Sequence, residues 1–223
     1  MPEYNEVYDQ PFHVIVEGSD ERELIKRLLA NRGIDGYQVG CGQGKDKRCL
    51  GKDGFYKRIE AILASTVVDV KGYVIVADCD DNPADRFKNA VKHFDLPKAN
   101  LPKPKVAFIR ETGKDSRGNE VSTAVIMIPA DMTPGGLETL LLSCCSEIKS
   151  YEACIDGFCT CIHRPNRRKL DNDKVRLRAL IAATHDHDPS LALSSWVTSA
   201  HCPFQLTHPS LDFIADFLKA FKI

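Results

Sequence analysis

Three carboxylates stand where chemistry on a divalent cation could be assembled. Glu17 follows a β-branched run at 12–16, in Glu17-Gly18-Ser19-Asp20, and Asp78 and Asp80 follow an apolar run at 73–77, in Asp78-Cys79-Asp80. If both runs are strands of a parallel sheet, these acids lie at strand ends, where such sheets bind ligands. Alternation along an extended chain puts Asp78 and Asp80 on one side, so both can face one cation. Hard carboxylate oxygens suit Mg2+ or Mn2+ rather than zinc. Asp20, Glu21 and Asp81 add further candidate ligands. Taken singly, each acid has a plainer role, Asp20 as a helix cap and Asp80-Asp81-Asn82-Pro83 as a turn running into an N-cap. Their recurrence at two strand ends is what points to a metal.

A phosphate contact is suggested by Gly40-Cys41-Gly42-Gln43-Gly44-Lys45. This is not a Walker loop, since Val39 stands where glycine is needed and Asp46 where serine or threonine is needed. The amides of Gly42 and Gly44, with Lys45 and Arg48, can still meet a phosphate near the acids, with Lys45 a candidate catalytic residue. A surface turn is the equal alternative. Lys47, Arg48, Lys52, Lys57 and Arg58 make the segment locally basic. Glu138, just after Pro134-Gly135-Gly136, either offsets a helix dipole or adds a metal ligand. Cys154, Cys159, Cys161 and His163 offer four ligands for zinc, but not at the spacing of paired Cys-x2-Cys knuckles. Incidental free thiols are the plainer reading. His185-Asp186-His187-Asp188 lacks a second supporting element and reads as a solvated helix end before Pro189.

The elements that must position these residues follow from periodicity. Strands are expected at 12–16, 37–39, 73–77, 105–109 and 124–128, with a loop or hairpin tip at 113–119. Helices are expected at 21–31, capped by Ser19 or Asp20, and at 56–65, 83–94, 137–146, 173–184 and 211–221. The unbroken apolarity of 73–77 marks a strand covered on both faces, as in parallel sheets. Strand–helix alternation over the first hundred or so residues predicts an α/β sandwich with a mostly parallel central sheet. After residue 150 the pattern changes, with 154–163 irregular and cysteine-rich, 164–168 basic and the rest helical. The expected organisation is an α/β domain at 1–150 and a helical C-terminal extension at 151–223 packed on it, with Trp196, Cys144 and Cys145 in the core.

Composition bounds the function classes. The chain has 223 residues, 43% hydrophobic and 27% charged, enough to bury a core. Thirty basic against 31 acidic residues exclude nucleic-acid binding driven by bulk positive charge. Local basic runs at 45–58 and 164–169 keep a gripped phosphate backbone open. No stretch approaches the roughly 18 apolar residues of a membrane span, and the acidic, polar start is not a secretory signal. A cytoplasmic protein without a membrane partner is expected. Nine cysteines, an odd number, are then expected as free thiols.

The segment Val14-Ile15-Val16-Glu17-Gly18-Ser19-Asp20 resembles the first motif of Toprim domains, the metal-binding fold of topoisomerases, bacterial primases and related nucleases. The run at 73–77 with Asp78-Cys79-Asp80 resembles the second. More closely, the chain is similar to a Toprim-like domain-of-unknown-function family of small prokaryotic proteins. That family has a Val-Glu-Gly-x-Asp start, an acidic run with Pro and Arg like 80–86, and a Gly-x-Leu-Glu segment like 135–138. The resemblance covers about residues 12–142. It implies a Toprim-like Rossmannoid sandwich in which Glu17 handles protons and Asp78 and Asp80 bind Mg2+. The related overcoming-lysogenization-defect nucleases add an acid four positions on, here Glu21, and use two metals. It further implies a nuclease acting on DNA or RNA, and relatives in phage defence are paired with ATPases that would here be a separate subunit. No tyrosine has the context of a topoisomerase nucleophile. The alternative is a non-catalytic module that binds a partner ATPase or a nucleotide. A zinc-stabilised binding protein rests on the Cys154–His163 cluster alone, and homo-oligomerisation stays open.

Overall fold

The computed structural model describes residues 7–44, 48–64, 68–95, 99–145, 148–162, 169–184, 192–198 and 204–222. Five strands form one sheet: β1 Phe12–Val16, β2 Tyr37–Cys41, β3 Gly72–Asp78, β4 Glu111–Lys114 and β5 Glu120–Ile128, in the order β2-β1-β3-β5-β4. β1 pairs in parallel with β2 and β3, and β3 in parallel with β5, while β4 lies antiparallel on β5 at the edge. The mostly parallel α/β sheet expected from the alternation is therefore present.

Pleating sends alternate residues to opposite faces, and both faces are covered. Val14, Val16, Val74, Val76, Ala124 and Ile126 pack on one side, and Ile15, Ile75, Ala77, Val125 and Met127 on the other. The helices are α1 Ser19–Asn31, α2 Phe55–Leu63, α3 Pro83–Lys92, α4 Leu137–Ser143, α5 Ile148–Cys161, α6 Lys169–Thr184, α7 Leu193–Thr198 and α8 Asp212–Phe221. α2 and α3 cover the second face through Phe55, Ile59, Ile62 and Ala90. α1 and the helices after β5 cover the first. Ile155, Leu180, Trp196, Val197, Ile214 and Leu218 from beyond residue 150 join Leu24, Ile25 and Leu28 of α1 in that one core. Trp196 is 1% exposed, and Cys144 and Cys145 are buried. Among the described residues, no helix is long and apolar enough to cross a membrane.

Several local expectations need correction. Residues 105–109 are not a strand. Phe108 adopts φ 61, a left-handed conformation costly for a bulky residue. It turns inward onto Phe213 and Phe217 at ring separations of 5.9 and 6.3 Å. That inward turn breaks the ladder, and the edge strand forms later, at Glu111–Lys114. There the hairpin is closed by the Asp115 carboxylate, which accepts the amides of Arg117 and Asn119. The segment 154–161, expected irregular, is helical in α5, with Ile155 buried in the core and Arg176 of α6 paired to Asp156. Cys41 and Cys49 are not free thiols but a disulfide. A short antiparallel bridge from Gln43 to Cys49 folds the loop back and brings their Cα atoms to 5.7 Å.

Candidate functional site

β1 lies between β2 and β3, and the connections leaving it diverge. α1 carries the chain from β1 to β2 over one face, and α2 brings it back to β3 over the other. The gap between β1 and β3 is thus a topological switch point, where an open parallel sheet leaves a crevice outside its carboxyl ends. Glu17 directly follows β1 and Asp78 ends β3, so the sheet brings two of the sequence-predicted acids to that crevice. They touch: the Asp78 amide donates to Glu17 Oε1 at 3.3 Å.

Asp80 arrives by a different route from the one alternation implies. Its φ is 49, a left-handed turn that aspartate tolerates, so it is not two positions along a straight strand. It is held by reciprocal backbone bonds with Gly135, Asp80 N–H to Gly135 O at 2.8 Å and Gly135 N–H to Asp80 O at 2.9 Å. The turn aims its carboxylate at Arg86, whose Nε lies 2.9 Å from Asp80 Oδ2 in an ion pair and donates to the Asp78 carbonyl at 3.2 Å. The other end of the same guanidinium pairs with Glu17. The Gly135 link also brings in α4. There Thr139 accepts from the Gly136 amide and donates to the buried Asp173 of α6 at 2.6 Å.

Arg86 is the residue sequence reasoning passed over, beyond noting it in the family motif. A signal was available: a cation in the first turn of a helix opposes the helix dipole, so its presence there implies an acidic partner. α3 begins at Pro83, capped by Asn82, whose side chain accepts from the Asp85 amide at 3.2 Å.

The remaining acids crowd from the α1 and α4 side. Burial pushes the Glu17 carboxyl up, opposed by the Arg86 guanidinium. Burial pushes Glu21 up to about 7, with Glu17, Asp20 and Glu138 adding like charge. Burial and then the charges of Glu21, Glu17 and Glu138 hold Asp78 well above the usual carboxylate range. Glu138 is likewise raised by burial, although Lys174 approaches to 3.9 Å. Among the described residues, Asp78 Oδ1 is buried without a hydrogen-bond partner. Gly18 leaves room for this crowding, since a Cβ there would meet Glu21 Oε2 at 2.8 Å.

This donor set fits a hard divalent cation in chemistry: clustered carboxylate oxygens, excess negative charge and an orphaned buried oxygen. Yet among the described residues no three acid, histidine or cysteine side chains are drawn around one metal position. Positive charge between Glu17 and Asp80 is supplied instead by Arg86.

Other predicted residues go elsewhere. Neither Ser19 nor Asp20 caps α1, which starts after Gly18 without a side-chain cap. The Asp20 carboxylate accepts from the Ser194 amide at 2.7 Å and so ties α1 to α7. Asp81 is exposed in the turn after Asp80. The glycine loop is a disulfide-closed hairpin: the Gly44 amide donates to the Arg48 carbonyl at 2.9 Å, and Leu50 N–H donates to Gly42 O. A Cβ at Gly42 would lie 1.8 Å from the Gly54 carbonyl oxygen, so backbone packing accounts for that glycine. Lys45, His163, the basic run at 164–168 and the motif at 185–188 lie outside the described residues. On α5, Cys154 and Cys161 are exposed and seven apart on one face, while Cys159 is turned about 140° away.

No curated protein matches this chain. Two solved structures of the C-terminal region of the Xanthomonas campestris pv. campestris OLD protein are similar to it. The mercury-phased one is 13% identical over 97% of this chain and 98% of that one, with a TM-score of 0.41. The platinum-phased one is 14% identical over 95% and 90%, with a TM-score of 0.37. Residues 11–221, from the entry to β1 through the last turn of α8, match the family described as "Protein of unknown function (DUF3226)", and the chain belongs to that family.

Proposed function

We propose that this protein is a Toprim-type, Mg2+- or Mn2+-dependent phosphodiesterase acting on nucleic acid. The observation that carries the reading is the Asp78 carboxylate, buried with an unpartnered oxygen among Glu17, Glu21 and Glu138 at the switch point of the sheet. Buried like charges persist where a ligand or a reaction uses them. The same Glu17 and Asp78-Cys79-Asp80 carry the resemblance to Toprim domains. Glu17, Glu21, Asp78 and Asp80 would hold the cation, which supplies a Lewis acid for the phosphate and a more acidic water. Glu17, its proton affinity pushed up by burial, would be the group that takes and returns a proton. Asp80 keeps its place through the Gly135 bonds, and Arg86 neutralises Glu17 and Asp80 until substrate and cation arrive.

Cleavage of single- and double-stranded DNA and RNA, with Mg2+, Mn2+ or EDTA, tests this. Metal-dependent products from wild type and none from Asp78→Asn are expected. Equal behaviour of the two on every substrate sinks the proposal.

One observation favours a second reading, a non-catalytic module that binds a nucleotide or a partner ATPase. Arg86 already satisfies Glu17 and Asp80, as a purely structural ion pair would. A Mn2+ soak separates the two readings: density between Glu17 and Asp78 speaks for the enzyme, an undisturbed Arg86 bridge for the module.

A further inference from the structure

Arg86 faces two ways. Besides the carboxylates, it lines a cavity of about 220 Å3 between the segment before α2, the end of β3 and α3. That is room for several waters at about 30 Å3 each. The inner lining is apolar and buried, from Phe55, Ala77 and Ala90. Toward solvent stand Lys52 and Lys92, both exposed, with Asn89 and a single carboxylate, Asp53. His93 closes one side, its ring stacked on Tyr56 at 6.2 Å and edge-on to Phe55 at 5.3 Å. Among the described residues, three cationic side chains and one acid line this partly apolar pocket in a chain of net charge −1, a local exception to the molecule's composition. Such a pocket selects a small, multiply charged anion, because charge-assisted hydrogen bonds strengthen where water is partly excluded.

We infer that this cavity is a phosphate subsite, in which Lys52, Lys92 and Arg86 hold a phosphate of the nucleic-acid strand next to the one at the carboxylates. The inference deepens the phosphodiesterase reading and rests on it for the identity of the ligand. Adjacency favours a strand over a free anion. Arg86 lines the cavity and also pairs with Glu17 and Asp80, so the cavity and the carboxylates share one guanidinium.

The test is calorimetric titration of the full chain with inorganic phosphate, and separately with a ten-residue single-stranded oligonucleotide, in EDTA so that no cleavage occurs. Lys52→Gln and Lys92→Gln are exposed and leave the core intact. Each is expected to weaken both ligands by about tenfold, the effect of one charge-assisted hydrogen bond. Wild-type affinity for both ligands in both variants overturns the subsite. Loss for phosphate without loss for the oligonucleotide overturns the strand assignment. The outcome is separable from that of the parent proposal. A lysine-dependent oligonucleotide affinity in a protein that cleaves nothing keeps the subsite and removes the nuclease. Cleavage together with lysine-independent binding does the reverse.

Discussion

The acidic edge of the sheet has two halves that the fold treats differently. In one, Glu17 and Asp80 share the guanidinium of Arg86, which also caps the Asp78 carbonyl. In the other, burial raises the proton affinity of Asp78, Glu21 and Glu138, the charge of Glu138 adds to the rise at Glu21 and Asp78, and among the described residues Asp78 Oδ1 is left without a partner. The first half is what a buried ion pair looks like when it is closed: breaking it is costly, and forming it adds little beyond offsetting desolvation. The second is unfavourable as it stands and is relieved by added positive charge. Strain of that kind concentrates where proteins bind and react.

The sharpest way to break this contrast is Asp78→Asn. Cleavage is expected to fall by about three orders of magnitude, the size of a lost cation-centred contribution of several kcal/mol. The metal-free protein should nonetheless melt higher than wild type, because a carboxyl whose ionised form is disfavoured by burial and by neighbouring acids has gone. Unchanged cleavage, or a lower melting temperature in EDTA, would remove the distinction between the halves.

Arg86→Met tests the closed half. It strands Glu17 and Asp80, which are partly exposed, so a loss of about 3 kcal/mol is expected, at the low end for breaking a buried pair. For a chain of this length that lowers the melting temperature by about 6–12 °C. A variant as stable as wild type would show that the guanidinium is not what neutralises this edge.

How much of this was legible beforehand depends on the distance over which each feature is determined. β1, β3 and the acids that follow them are local patterns, and parallel topology then places strand ends together. The conformation of Asp80 is not local. It depends on Gly135, more than fifty residues away, so alternation placed its carboxylate on a path the chain does not follow. Residues 105–109 have a strand's composition, but Phe108 is claimed by two phenylalanines of α8, a contact invisible without the C-terminal helix in place. Arg86 was readable in principle from its unfavourable place in a first helical turn. The Gly42–Gly54 contact and the Cys41–Cys49 bridge required the loop's fold.

A smaller effect comes from adding the cation. Mg2+ that binds the folded chain stabilises it by about 2.7 kcal/mol at a hundred times its dissociation constant. Thermal melts should therefore rise with Mg2+ in wild type and much less in Asp78→Asn. An equal rise in both would move the metal away from the second half.

The finest discriminator is pH. Glu21 titrates near 7 in the fold and near 4.5 when unfolded, so between these values the folded state binds more protons. Stability in EDTA must then fall as pH rises from about 4.5 to about 7, the opposite of an acid held by an ion pair. Glu21→Gln should flatten that slope without altering the response of the half held by Arg86. If the slope survives the substitution, the protons belong to Glu17, Asp78 or Glu138, and Glu21 lies outside the electrostatic unit despite its place on α1. If it vanishes, α1 contributes the group that senses whether the second half is neutralised, and the contrast between the halves reduces to one guanidinium present on one side and absent on the other.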